Sequence, residues 1–308
     1  MGVRVPSSAP SPTTADSISS ARSSESHITH SVVPLWRWAL PWGFACFTAG
    51  FAHAEQLPQW EAGAGFGAAY LADYRGASQY GTWVFPVPYF VYRGDAVKVD
   101  DGRLHGRFFD TDRVEVGISV FGSPPVRKNS TRAGMPDLDA TIEIGPSLDF
   151  FLYRSPDRKN ALSLRLPARR VIATDFSHLT HVGWIFQPNL NLDIHDLAGE
   201  RGLNLGLLAS VLYTDQGYNR YFYAVDPSFA TPERPAFNAD GGYAGTTWIA
   251  SLSRRYPGFW VGGFIKWDSV SDAAFSGSPL VKSANNLSAG FAVSWIFGAS
   301  PEKVEAAR

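Results

Sequence analysis

The side chains best suited to chemistry in this sequence are charges that recur on one side of alternating stretches. Glu115, Glu143, Asp149, Arg165, Arg169 and Asp193 all fall on the polar side of segments whose other side is apolar. Carboxylates and guanidiniums drawn into a common, poorly hydrated interior have to pair, because an isolated ion away from water is very costly. Paired, they form a plug of salt bridges; arranged around an open bore, they form a selectivity ring for a small solute. The plug is the simpler reading. The histidines offer less. His178 and His181 stand three residues apart, a spacing that suits a metal on a helix rather than in a loop, and they read as solvated loop residues. His105 and Ser163 are the imidazole and hydroxyl an acyl hydrolase could use, yet nothing around either marks it as activated. No phosphate loop, HExxH motif or nucleophile elbow occurs. The expectation is a non-enzymatic protein with no cofactor and no metal.

The elements that would hold those charges are strands. In LSAGFAVSWIF, odd positions from Leu287 to Phe297 are Leu, Ala, Phe, Val, Trp and Phe, while even positions are Ser, Gly, Ala, Ser and Ile. That period of two describes a strand with one apolar face. The same pattern returns over 114–120, 140–152, 162–169 and 184–194, and no stretch downstream of residue 54 keeps a helical period. Soluble sandwiches also alternate. Two features favour lipid: the apolar faces run for about ten residues, near the length a tilted strand needs to cross a bilayer, and the opposite faces carry glycines, amides and both signs of charge, as a lumen would. Trp60, Trp83, Trp184, Trp248, Trp260 and Trp267 fall near strand ends, where an interfacial girdle belongs. The composition of the 308 residues is compatible, with 45% hydrophobic and 18% charged residues. A net charge of −1 gives no reason to expect nucleic acid as a partner.

The N-terminal region points to export. Residues 1–31 are Ser-, Thr- and Pro-rich. Arg37 then precedes WALPWGFACFTAGFA and Ala52-His53-Ala54, which together match a positive segment, a short apolar segment and a small-x-small cleavage site. Cleavage after Ala54 is expected, leaving 308 − 54 = 254 residues. The distance of this signal from Met1 would be explained by a misassigned start codon. Cys46, the one cysteine, lies inside the signal; a lipoprotein reading fits poorly because Gly43 stands where an aliphatic residue is expected.

These observations add up to an all-β protein, a closed antiparallel transmembrane β-barrel of about twelve strands over 55–297. Residues 1–54 form an extension plus signal, and 298–308 a solvated periplasmic tail. The expected strands are 60–70, 83–99, 103–109, 113–121, 139–153, 160–170, 183–195, 202–213, 218–225, 244–254, 259–267 and 287–297. With both termini periplasmic, loops 71–82, 226–243 and 268–286 fall outside, but the long stretch GSPPVRKNSTRAGMPDL falls inside. A miscounted hairpin near 94–112 would remove that oddity, and ten strands is the alternative count. Pro86 and Pro88 share a strand and cannot donate to a ladder, so a bulge or a weakly paired edge is expected there.

Four stretches carry a resemblance to a known family. They are Gly63-Ala64-Gly65 with Asp73-Tyr74-Arg75-Gly76-Ala77 and Phe85-Pro86-Val87-Pro88-Tyr89; Asp137-Leu138-Asp139-Ala140-Thr141 with Ile144-Gly145-Pro146 and Leu164-Arg165-Leu166-Pro167; Tyr221-Phe222-Tyr223-Ala224-Val225 with Gly241-Gly242-Tyr243; and Ser278-Pro279-Leu280-Val281 with Ala289-Gly290-Phe291. In order and spacing they resemble the MipA/OmpV family of outer-membrane proteins. Ala72 and Ala224 depart from the usual proline and glycine of that pattern. The resemblance implies an outer-membrane barrel, with outer-membrane lipid around it, and a scaffold role linked to murein hydrolase and synthase proteins in the periplasm. A small-solute channel, or a surface adhesin using the aromatic loop DPSFATPERPAFNADGGY, is the alternative.

Overall fold

A computed structural model describes residues 56–93, 97–100, 103–111 and 113–305, with side chains described over 57–93 and 113–304. The expected export signal with Cys46, the turn residues Asp101, Gly102 and Asp112, and the His105 side chain lie outside those residues.

The described strands are β1 (Gln56–Pro58), β2 (Trp60–Ala72), β3 (Tyr80–Arg93), β4 (Val97–Asp100), β5 (Arg103–Thr111), β6 (Val114–Ser123), β7 (Ala140–Arg154), β8 (Asn160–Thr174), β9 (Leu179–Phe186), β10 (Asn189–Ile194), β11 (Leu203–Thr214), β12 (Gly242–Arg255), β13 (Phe259–Ser269), β14 (Asn285–Ala299) and β15 (Lys303–Glu305). A helix, α1 (Gln216–Tyr223), follows β11. All strands but β1 and β15 form one 13-stranded sheet in which β14 pairs with β2 and β8 pairs with both β9 and β10. β9 and β10 lie end to end between the same neighbours, β8 and β11, parted only at Gln187-Pro188. Counted as one strand they reduce thirteen to twelve, and every one of the twelve then has a partner on each side. The sheet is a closed antiparallel barrel.

Side-chain direction follows the sequence alternation. Outward positions such as Phe66, Ile144, Leu190, Trp248, Ile265, Phe291 and Trp295 are exposed, while inward Glu143, Asp149, Ser163, Arg165, Arg169, Asn191 and Ser294 are buried. A sheet with bulky apolar groups outside and ions inside is stable only in hydrocarbon, where a closed ring also satisfies the backbone. Aromatic residues mark two belts on β13: Trp267 at one end and, eight residues earlier, Phe259, whose cross-strand partner is Trp295. Eight steps of about 3.3 Å give roughly 26 Å along the strand.

The sequence reading needs four corrections. The stretch 83–99 is two strands, since the chain turns after Arg93 and returns as β4, adding a short hairpin with β5. Residues 218–225 are not a strand; most of them belong to α1, where Tyr218 and Phe222, and Asn219 and Tyr223, sit four apart on the buried side. The two errors cancel in the count. They do not cancel in the topology: with the extra hairpin, residues 124–139 emerge at the same end as 73–79, 215–241 and 270–284, as Asn129 donating to Asp73 (2.7 Å) and Arg132 to the Phe222 carbonyl (2.9 Å) require. Finally, Trp83 and Trp260 face the barrel interior rather than an outer girdle, Trp260 lying on the same face of β13 as Phe264 and Lys266.

The four long loops pack into a cap with its own apolar core. Tyr74, Leu138, Phe222, Tyr223, Val225, Ala239, Phe275 and Leu280 are buried together. The Tyr223 and Phe275 rings stack at 3.6 Å, and the Tyr223 hydroxyl donates to the Arg75 carbonyl (3.0 Å). The loop 226–243 is part of this cap, with Val225 bridged to Phe237. At the opposite, short-turn end, β14 runs past Phe297 to Ala299, and Lys303–Glu305 pair with Gln56–Pro58, so the two ends of the described chain extend the β2–β14 seam.

Candidate functional site

Inside the barrel the structure gathers the six sequence-predicted charges into three groups. Arg165 reaches Asp149 (3.3 Å) and Asp193 (2.7 Å), while Ser147 donates to Asp149 (2.5 Å) and Asn191 to Asp193 (2.6 Å). One guanidinium between two carboxylates is tolerable because these neutral donors carry part of the second charge. Arg169 donates to Glu143 (2.9 Å), to Ser119 (3.2 Å) and to Gln187 (2.5 Å), and Gln187 passes a hydrogen bond to Ser210 (3.0 Å). Glu115, the cross-strand neighbour of Asp149, lies 4.0 Å from Arg154.

Two further clusters were not singled out from sequence. Near the short-turn end Glu61, 1% exposed, is held by Arg93 (3.2 Å), by Arg255 and by the Tyr89 hydroxyl (3.4 Å). At the loop end Asp268 accepts from Arg75 (3.2 Å) and Thr247 (2.5 Å) and pairs with Lys266 (2.9 Å). Arg75 comes from the β2–β3 loop and is threaded into the mouth. Its other donors meet the carbonyls of Ala244 (2.6 Å), Thr246 (3.1 Å) and Ser269 (3.2 Å). Two of these carbonyls flank Gly245, which holds φ +100 and whose added Cβ would lie 2.0 Å from the Ser269 carbonyl oxygen; only glycine fits that bulge.

Between the cap and these ion pairs lies a cavity of about 690 Å³. Its walls carry Trp83, Phe85, Phe121 and Phe264, and Tyr218 and Phe222 of the cap close it above. Small residues make room for the rings: Phe85 lies against Gly67, its cross-strand partner, and Phe264 against Gly290, its own partner. Arg169 and Lys266 stand 6.0 and 5.8 Å from the centre of the Phe121 ring.

The two histidines of the metal candidate do not come together with further ligands, and the His105 side chain lies outside the described residues. Ser163 points into the lumen, fully buried, and accepts from Arg165 Nε (3.0 Å). His178 is exposed beside Asp175 (3.6 Å), and His181 lies on β9 against Trp184. No group of three metal-ligating side chains occurs among the described residues.

The cap carries the titrations worth noting. Burial pushes the Tyr74 hydroxyl up to about 12, and it donates to the Leu280 carbonyl (2.9 Å). Burial also raises Tyr218 and Tyr223 and lowers Arg132. In the loop, the Ser228 hydroxyl and amide hold Asp226 below the usual carboxylate range.

Residues 64–297 match the sequence model of the family described as MltA-interacting protein MipA. No curated protein matches. Among solved structures, the NanC porin aligns at 11% identity with a TM-score of 0.37, over 76% of this chain and 99% of its own. A bacterial polysaccharide outer-membrane secretin aligns at 8% and 0.34, over 77% of this chain and 99% of its own. OprG from Pseudomonas aeruginosa aligns at 10% and 0.21, over 79% and 95%.

Proposed function

Because the chain belongs to the MipA family, an outer-membrane barrel family named for interaction with MltA, we propose that it works as a closed, non-enzymatic platform that holds murein hydrolase and synthase proteins at the envelope. The observation that supports this reading most directly is the covered mouth: a folded cap closes the loop end, and ion pairs line the wall beneath it at successive levels from Glu61 to Asp268. A cap folded over the mouth obstructs the continuous line of water that a pore needs. A platform instead needs rigidity and an accessible rim. In outer-membrane barrels the short turns face the periplasm, and here that end carries the β1–β15 ribbon, standing beyond the barrel where a periplasmic partner could meet it.

The second reading, a small-solute channel, is favoured by the interior cavity. Two measurements separate them. In planar bilayers the platform predicts no steady conductance, and in crosslinked envelopes it predicts retention of murein enzymes on the tagged full chain. Steady ohmic currents with no murein enzyme retained would overturn it.

A further inference from the structure

The barrel wall is uneven in height. Among the described residues, only Tyr92 and Arg93 of β3 pair with β4, while Tyr80–Val91 pair with β2 alone. Across the β4–β5 hairpin, β6 pairs with β5 no further than Ile118, and Ser119–Ser123 pair with β7 alone among the described residues. Among the described residues, a hairpin with a four-residue first strand thus spans only the short-turn half, and no pairing bridges β3 and β6 over the loop-end half.

Pro86 and Pro88 stand on that free edge. They face Phe66 and Ala64 without a break in register. A proline has no N–H, so these must be the non-hydrogen-bonded pairs of the ladder, and both nitrogens turn away from β2 toward the open side. That is where a sheet tolerates proline. It also removes two donors that lipid could not have satisfied. The edge lies at membrane depth, since Val84, Phe90 and Val120 beside it are 72, 51 and 55% exposed outward-facing apolar residues.

Behind the gap is the interior cavity, and both free edges line it: Trp83 and Phe85 from β3, Phe121 and Ser123 from β6. Phe85 and Phe121 point inward yet remain 39 and 49% exposed, an unusual cost for rings inside a barrel unless something covers them. The charges around the cavity balance. Asp73, Glu143 and Asp268 stand against Arg75, Arg169 and Lys266, and each cation already has an acidic partner. The geometry points to a binding site for an uncharged, ring-bearing lipophilic molecule that reaches the cavity sideways from the bilayer between β3 and β6. The volume suits a drug-sized ligand, and the lining offers ring faces and edges with a few polar groups to orient it. This site is independent of the platform role.

The test uses the full chain in amphipol and N-phenyl-1-naphthylamine, which fluoresces in apolar surroundings. Wild type should bind the probe saturably at one site. Phe85→Gln and Phe121→Gln should each weaken binding at least tenfold, Ser123→Trp should abolish it by filling the space, and outward-facing Phe291→Leu should leave it unchanged. Uptake by wild type without saturation, or equal affinity in folded lumen variants, would overturn the site. The route is read in vesicles with Phe121→Cys on a Cys46→Ser background. Pyrene maleimide dissolved in the bilayer should alkylate it at least tenfold faster than a sulfonated maleimide in water; equal rates, or the reverse order, would overturn the lateral path.

Discussion

At the scale of single residues, Glu61 bears more than its surroundings suggest. Among the described residues it is the acid that both Arg93 and Arg255 reach, and it is 1% exposed. Removing its charge leaves two guanidiniums near each other in a poorly hydrated lumen. Breaking a buried pair by deleting one partner typically costs about 3–5 kcal/mol. We therefore expect Glu61→Gln to lower the urea midpoint of the vesicle-folded protein by an equivalent of several kcal/mol. Glu200→Gln, which breaks the exposed contact with Arg254 (3.1 Å), should change it by about 1 kcal/mol or less. Equal shifts for the two would mean the lumen is well hydrated and the ion pairs weak. The six charges on β6, β7, β8 and β10 were legible because five of them sit between apolar neighbours and Arg169 follows Ala168 in the same alternation, so polarity itself marks the inner face. Glu61 was not, because the inner face of β2 continues as Gly63, Gly65, Gly67 and Ala69, with no polarity to alternate. Those glycines are required by packing, since a Cβ on Gly65 would lie 1.8 Å from the Val293 carbonyl oxygen of β14. Arg75 was hidden differently: it belongs to a loop, and only the folded cap carries it into the mouth.

Among the elements, the cap behaves like a small soluble domain set on the barrel, and its chemistry is that of buried phenols. Tyr74 is pushed up from the ordinary tyrosine value of 10.0 to about 12, chiefly by burial, so its neutral form is favoured when the cap is folded. The sign follows directly: a raised folded-state value gives stability that is complete below about pH 10 and is lost as the pH climbs through about 12. Tyr218 and Tyr223 are pushed the same way and add to the loss. We expect the near-ultraviolet circular dichroism of the stacked Tyr223 and Phe275 rings to fade over that interval while the far-ultraviolet strand signal persists. Tyr74→Phe should reduce the fading, at a cost of about 1 kcal/mol near neutrality for the lost hydrogen bond to Leu280. A cap signal that stays flat to pH 12 would contradict this. The element most misjudged from sequence, α1, lies here. Eight residues are too few to tell a period of 3.6 from one of 2 when nearly all are aromatic or polar. The available signal was Asp215, whose carboxylate accepts from the Tyr218 amide (2.9 Å) as an N-cap and from the Trp184 amide (3.0 Å), tying helix to wall.

For the whole molecule, closure follows from the solvent rather than from any one contact. The strands that the sequence marked by strict alternation, 140–152, 162–169, 184–194 and 287–297, are the ones whose long registers hold the ring, while β4 was merged with β3 because 83–99 reads as one continuous run. An apolar belt of this breadth, with Trp184, Trp248, Trp267 and Trp295 between about 39 and 55% exposed, would aggregate in water. In lipid the same belt is the source of stability, and the polar interior is what must be shielded. Spin labels make the contrast measurable. At Leu190, 47% exposed on the outward side of β10, collisions with oxygen should exceed those with a water-soluble nickel chelate. At Leu252, 48% exposed on β12 across two registers, the same order should hold. At Glu200, in the turn between β10 and β11, the order should reverse, because that turn stands at the short-turn rim outside the hydrocarbon. The separation between the last lipid-facing and the first water-facing label along β10 then gives the lower membrane boundary, and it should fall within one turn of the level of Phe259 and Trp295. Water contact at Leu190 or Leu252 would place the apolar belt outside the bilayer and undo the assignment of faces on which both the platform and the lateral site depend.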